Sequence, residues 1–108
     1  PPTRRVIHAV GPMYHLQTLE QAAALLRGAY TAALDICAAE GLKSIAFPAI
    51  STGVYGYPMG EAAAEAVGAI LDYLRATPAT SLELVRLVLF DEHSARIHER
   101  ALEHAAAG

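Results

Sequence analysis

Cysteine, basic charge and long apolar runs are all scarce in this sequence, and each scarcity closes off a class of protein. Cysteine occurs once, at Cys37, so no disulfide can form within the chain. No apolar run approaches the ~20 residues that cross a bilayer, and no signal peptide is visible. The expectation is therefore no membrane partner and a soluble setting in a reducing compartment, the cytoplasm. Lys and Arg number 8 against 11 Asp and Glu, a formal net charge of −3, and they are scattered. Without a basic stripe, general nucleic-acid binding is not expected. An anionic ligand must then be held by local geometry, such as backbone N–H groups.

Internal repeats, low-complexity tracts and linkers are absent as well, so 108 residues set a ceiling of one domain. At 54% hydrophobic and 18% charged the chain has enough apolar surface to offset the entropy of ordering it. A chain of this size buries somewhat under ~70% of its unfolded surface.

The apolar spacing changes period along the chain. Val6, Ile7 and Val10 suit a short strand that Gly11-Pro12 ends. From about Leu19, residues Ala22, Ala23, Leu26, Tyr30, Ala33 and Cys37 recur at helical spacing, with Glu20, Arg27 and Asp35 off the stripe. Gly41 stands where a helix end favours a left-handed residue. Lys43 to Ile50 is short and nearly all apolar, as a strand covered on both faces would be. A second helix follows Pro58, with Ala63, Ala66, Val67, Ile70, Leu71 and Leu74 on its inner face and Thr77-Pro78 stopping it. Leu82 to Phe90 is the third strand, and a third helix runs from about Asp91 to Ala105. Asp91 and Glu92 lie at its start, where the helix dipole favours negative charge. Three strand–helix units define an α/β fold with parallel strands and right-handed crossovers.

The segment from Pro48 to Pro58 carries the chemistry. It leaves the carboxyl end of a strand and opens into a helix, the place where ligands bind in open α/β sheets. Gly53 and Gly56 let the backbone approach a ligand closely. Free N–H groups there, with the helix N-terminus, make an anion site, and Tyr55 and Tyr57 could cover a sugar or close a cleft. On pattern alone an ordinary strand-to-helix turn, with tyrosines filling space, explains the same residues equally well. The loop is neither a P-loop nor a Rossmann fingerprint, and Ser51 lacks the Gly-x-Ser-x-Gly elbow of a serine nucleophile.

Ala46-Phe47-Pro48-Ala49-Ile50-Ser51-Thr52-Gly53-Val54-Tyr55-Gly56-Tyr57-Pro58 closely resembles the phosphate-binding loop of macro domains, a family that binds ADP-ribose and includes ADP-ribosyl hydrolases. Val6 to Pro12 resembles the strand before that family's long helix, and Leu87 to Glu92 its last strand and final helix start. The likeness runs from about residue 4 to residue 104. It implies a three-layer α/β/α sheet, here reduced to about three strand–helix units. It also implies that Ser51, Thr52, Gly53, Val54, Tyr55 and Gly56 line the diphosphate and distal ribose of ADP-ribose. Phe90 takes the position that packs on the adenine, where a ring contributes ~1–3 kcal/mol, and Asp91 adjoins it. Phe90 as a core residue closing a strand is the alternative.

The resemblance also implies something missing. A complete macro domain has strands and a helix ahead of the part matched here, with an adenine-reading Asp and an Asn-rich, Gly-rich ribose loop that carries the acidic residue of many hydrolytic members. This chain contains no Asn. It is therefore read as the C-terminal portion of a macro domain, with no catalytic residue assigned, and an open sheet edge that invites self-association. Three functions stay open: hydrolysis of ADP-ribose from proteins or of O-acetyl-ADP-ribose, recognition of ADP-ribose or a mono-ADP-ribosylated protein without chemistry, or an inert structural unit. No cofactor and no metal is implied, since His93, His98 and His104 do not share a helix face. Cys37 is read as a buried structural thiol, His8 as a structural strand residue, and Glu61, Glu65 and Asp72 as a solvated helix face.

Overall fold

Thr18 starts the first helix by a reciprocal exchange: its Oγ1 accepts from the Gln21 N–H, and Gln21 Oε1 accepts from the Thr18 N–H, both at 3.1 Å. The computed structural model describes residues 11, 14, 18–48, 50, 56–89 and 91–107. Within them lie α1 (Leu19–Ala39), β1 (Ser44–Pro48), α2 (Met59–Ala76), β2 (Leu84–Val88) and α3 (Glu92–Ala107). The strand expected over residues 6–10, and His8 on it, fall outside the described residues.

Gly41 ends α1 as its position suggests. Its φ is 68°, its N–H donates to Ala38 O, and the Leu42 N–H reaches back to Cys37 O, each at 3.0 Å. These two bonds satisfy carbonyls that the helix end leaves open. The Leu42 carbonyl accepts from Ser81 Oγ at 2.7 Å, and the Lys43 carbonyl accepts from the Glu83 N–H at 2.6 Å. The amino ends of both strands are thereby tied together, and β1 pairs with β2 in parallel from Ser44↔Leu84 to Pro48↔Val88.

The strands alternate cleanly. Ile45, Phe47, Val85 and Leu87 point toward the helices, while Ser44, Ala46, Pro48, Leu84, Arg86 and Val88 are exposed. The expectation of a strand covered on both faces is therefore corrected for the described residues, in which the helices cover one face only. The apolar run in the sequence shows what β1 can bury, not what covers it. The core joins Ala22, Leu26, Tyr30, Ala33 and Leu34 of α1 to Phe47 and to Ala62, Ala66, Ala69 and Ile70 of α2. Cys37 belongs with them: it is fully buried, its Sγ lies 3.9 Å from Ser44 O, and burial pushes its thiol above the ordinary range.

Two further expectations change. Leu19–Ala39 is 21 residues long with mean hydropathy 1.2 over its most apolar window, so a segment of membrane-spanning length and composition does exist. Its alanines raise the hydropathy, and its buried stripe packs against α2 and β1 as that of a core helix does. The acidic face of α2 is also not simply solvated. Arg27 of α1 reaches across to Glu65 Oε1 at 3.3 Å and to Asp72 Oδ2, and Glu61 accepts from the Tyr14 hydroxyl at 3.4 Å. Gly68 makes room for this crossing, because a Cβ there would stand 2.5 Å from Arg27 Nη1.

Packing outweighs these ion pairs. Leu26 is fully buried, so Leu26→Ala is expected to cost about 2–5 kcal/mol. The Arg27 side chain is one-third exposed, and Arg27→Gln is expected to cost less than about 1 kcal/mol. Urea unfolding of the two variants checks the contrast, and equal losses would contradict it.

Candidate functional site

Parallel, in-register strands end together. With Pro48 opposite Val88 and the strands about 4.8 Å apart, the segments after β1 and after β2 leave the sheet at one edge. Ile50, after β1, and Leu89, after β2, therefore start from the same end of the strand pair. This is the carboxyl edge, where open α/β sheets hold ligands.

Ser51, Thr52, Gly53, Val54, Tyr55 and Phe90 lie outside the described residues, so what the structure supplies is the frame around them. The loop entrance is pinned at Ile50, which is buried and donates its N–H to the Tyr30 hydroxyl at 3.3 Å. Tyr30 is itself 1% exposed, and its ring meets the edge of Phe47 at a centroid distance of 4.9 Å. Burial pushes the Tyr30 hydroxyl above the ordinary phenol range, and the Ile50 N–H pulls it the other way. A buried tyrosine needs a partner for its hydroxyl; here that partner is the backbone at the mouth of the loop.

The loop exit is held as firmly. Gly56 has φ 77°, a left-handed conformation that side chains rarely adopt. Tyr57, offered as a cover for a sugar, is instead core: it is 5% exposed and packs on Tyr14 with ring centroids 4.9 Å apart. The two rings line a small cleft of about 150 Å³ with Leu19, Ala23, Glu61 and Glu65. Burial and then the carboxylates of Glu65 and Glu61 raise the Tyr57 hydroxyl above its ordinary range.

Next comes α2, whose N-cap residue is a proline. Pro58 precedes the helix and contributes no side-chain cap, whereas α1 has its Thr18–Gln21 exchange and α3 has Asp91. Among the described residues, no side chain caps the N–H groups that open α2. Asp91 is occupied differently: its Oδ1 accepts from the Ser94 N–H at 2.7 Å, and its carbonyl accepts from the Ala95 N–H at 3.1 Å. That bond to Ser94 is the chief reason its carboxyl lies below the ordinary 3.8. Asp91 therefore caps α3 at the carboxyl edge of the sheet.

Of the expected site residues only Gly56 and Asp91 are described, and Tyr30 and Tyr14 hold Ile50 and Tyr57 at the loop's two ends, two residues that motif reading does not single out. The available signal was a tyrosine on a helix stripe otherwise made of small and aliphatic residues. Among the described residues no group of three His, Cys, Asp or Glu could hold a metal ion. His93 and His104 are exposed, and His98 is buried with its Nδ1 2.9 Å from Ser94 O.

Comparison with known proteins identifies the frame. The sequence profile described as Macro domain matches residues 1–66. The chain belongs to the macro domain family. This macro domain sequence is 45% identical over 101 residues to an O-acetyl-ADP-ribose deacetylase of Enterobacter cloacae, covering 94% of this chain and 54% of that protein. It is 48% identical to one of Klebsiella pneumoniae, covering 94% and 56%. The Oceanobacillus iheyensis macrodomain solved with ADP superposes with a TM-score of 0.82 at 40% identity, over 91% of this chain and 50% of that one. The Trypanosoma brucei macrodomain in complex with ADP-ribose gives 0.70 at 31% identity, over 74% and 34%. The chain thus spans about half the length of the curated relatives it matches.

The Asp91 cap carries a pH signature. Because the folded carboxyl is held below its ordinary value, its contribution is complete above the ordinary carboxylate range and is lost as pH falls through the lowered value. Asp91→Asn keeps a cap but not the charge. Wild type is expected to melt higher than Asp91→Asn at pH 7, with the gap closing toward pH 2–3; a gap constant across that range would contradict the assignment.

Proposed function

We propose that this chain binds ADP-ribose at the carboxyl edge of the β1–β2 sheet, with the diphosphate held by backbone N–H groups of Ser51, Thr52, Gly53, Val54, Tyr55 and Gly56. The observation that carries the reading is the start of α2 directly after this loop, with Pro58 giving it no side-chain cap among the described residues. A helix N-terminus with open N–H groups and a positive dipole end suits an anion, and the scattered Lys and Arg offer no competing basic cluster. Tyr55 lies against the distal ribose and Phe90 against the adenine, and Asp91 adjoins the base while capping α3. Support comes from relatives named as O-acetyl-ADP-ribose deacetylases and from macrodomain structures holding ADP or ADP-ribose.

Within a full-length protein the same site serves hydrolysis, removing ADP-ribose from proteins or deacetylating O-acetyl-ADP-ribose in the cytoplasm. Such a reaction needs a water positioned near the distal ribose, and holding the diphosphate in the loop orients the substrate toward it. No side chain of this chain is assigned as general base. A second reading is recognition of ADP-ribose or a mono-ADP-ribosylated protein without turnover, which needs only the backbone donors of the loop. Release of acetate from O-acetyl-ADP-ribose separates the two.

Calorimetric titration of ADP-ribose is expected to give saturable one-to-one binding. Gly53→Glu should abolish it, since a carboxylate then occupies the anion site. Tyr30→Phe should weaken it about 2- to 10-fold, the worth of one hydrogen bond at the loop mouth. A cooperatively melting protein with no binding heat and no ligand-induced rise in Tm would overturn the proposal for this chain.

A further inference from the structure

A groove of about 430 Å³ between α2 and α3 is walled mainly by aliphatic side chains, Leu71, Leu74 and Leu102 among them. The cleft of about 150 Å³ beside Tyr57 is smaller and chemically more specific. Tyr14, Leu19 and Ala23 form one side of it, and Tyr57, Glu61 and Glu65 form the other. Two carboxylates thus share a cleft with two aromatic rings, and none of these six residues carries a positive charge.

The Tyr57 hydroxyl adds a second, independent observation. The residue is 5% exposed, and a buried tyrosine ordinarily finds a partner for its hydroxyl. Tyr30 has the Ile50 N–H and Tyr73 has the Leu34 carbonyl. Among the described residues nothing bonds to the hydroxyl of Tyr57. It lies close enough to Glu65 and Glu61 for their charges to raise it above the ordinary phenol range, so it is protonated at neutral pH. Each carboxylate has engaged one oxygen: Glu65 Oε1 meets Arg27, and Glu61 Oε2 accepts from Tyr14. Arg27 is shared with Asp72, so Glu61, Glu65 and Asp72 stand against a single guanidinium.

The group that completes this cleft needs a positive charge, several donors and an apolar stem. Hard cations such as Ca²⁺ and Mg²⁺ take about six or more oxygen ligands, and two carboxylates beside leucine, alanine and ring faces suit them poorly. An ammonium group has three N–H donors, enough for both carboxylates and a lone pair of the Tyr57 hydroxyl. Its charge is also drawn to tyrosine rings. Leu19, 68% exposed at the cleft, and Ala23 offer contact to methylene groups. At about 30 Å³ per molecule of liquid water, the cleft has the room of about five waters, which suits an amine on a short carbon chain.

We propose that the Tyr14–Tyr57 cleft binds a primary alkylammonium group, with its N–H donors on Glu61, Glu65 and the Tyr57 hydroxyl and its carbon chain against Leu19 and Ala23. A free alkylamine and a lysine side chain carry the same group. This inference stands on the cleft alone and does not depend on the ADP-ribose reading.

The test is an NMR titration with n-butylammonium at pH 7 and constant ionic strength, with n-butanol as the uncharged match. Saturating shifts are expected at the amides of Tyr57 and Glu61 to Glu65, with a Kd of about 1–10 mM, at least about fivefold tighter than for n-butanol. Glu61→Gln should weaken n-butylammonium binding about 3- to 10-fold. Tyr57→Phe should weaken it by a similar factor without lowering the Tm of the free protein, because the hydroxyl has no protein partner to lose. Equal or tighter binding of N-acetyl-lysine amide assigns the group to a protein side chain, and its rejection assigns it to a free amine. Equal binding of n-butanol, no saturable shift, or full n-butylammonium affinity in Tyr57→Phe overturns the proposal. So does a Tyr57→Phe protein that melts well below wild type, since the hydroxyl would then be held by the fold.

Discussion

The register of a single strand pair organises this molecule. β1 and β2 are tied at their amino ends by Ser81 and by the Lys43 carbonyl, and five paired residues later they finish together at Pro48 and Val88. Parallel pairing sends both outgoing segments from one edge, the edge at which the proposed site lies. A slip of one residue would turn Phe47 and Leu87 from core to solvent, so the same packing that stabilises the helices also fixes where both strands end.

From that edge the constraints propagate backward into α1. Tyr30 sits in the centre of the core, yet its hydroxyl is spent on the Ile50 N–H at the entrance of the loop. Ile50 is therefore tied to a fully buried part of the core, and Tyr57, after Gly56, is buried as well. Preorganisation of this kind suits a site that relies on backbone N–H groups, since these have no side-chain freedom with which to correct a misplaced loop.

The helices, both described strands and their parallel order were legible in the residue pattern, because 3.6-residue spacing, the Gly41 stop and the Thr77-Pro78 stop act locally. The loop from Ser51 to Gly56 was legible as a motif, and the chain's membership of the macro domain family agrees with it. What could not be read depends on contacts between distant residues. Tyr30 looked like one more core position, since nothing local reveals a partner 20 residues away. Arg27 looked like a surface residue until α2 placed Glu65 and Asp72 against it. Tyr57 beside Gly56 suggested a ligand cover, and Tyr14 claimed it for the core. The apolar run from Lys43 to Ile50 advertised two covered faces, and the described helices cover one.

The central claim is that the frame converging on the carboxyl edge holds ADP-ribose, and amide-resolved NMR tests it most directly. Titration of ADP-ribose into labelled protein is expected to shift the amides from residue 50 to residue 61 and from residue 89 to residue 92, while those around Gly41 at the opposite end of the strands stay in place. Shifts centred on Gly41 or on the α2–α3 groove, or no shifts at all at saturating ligand, would contradict it.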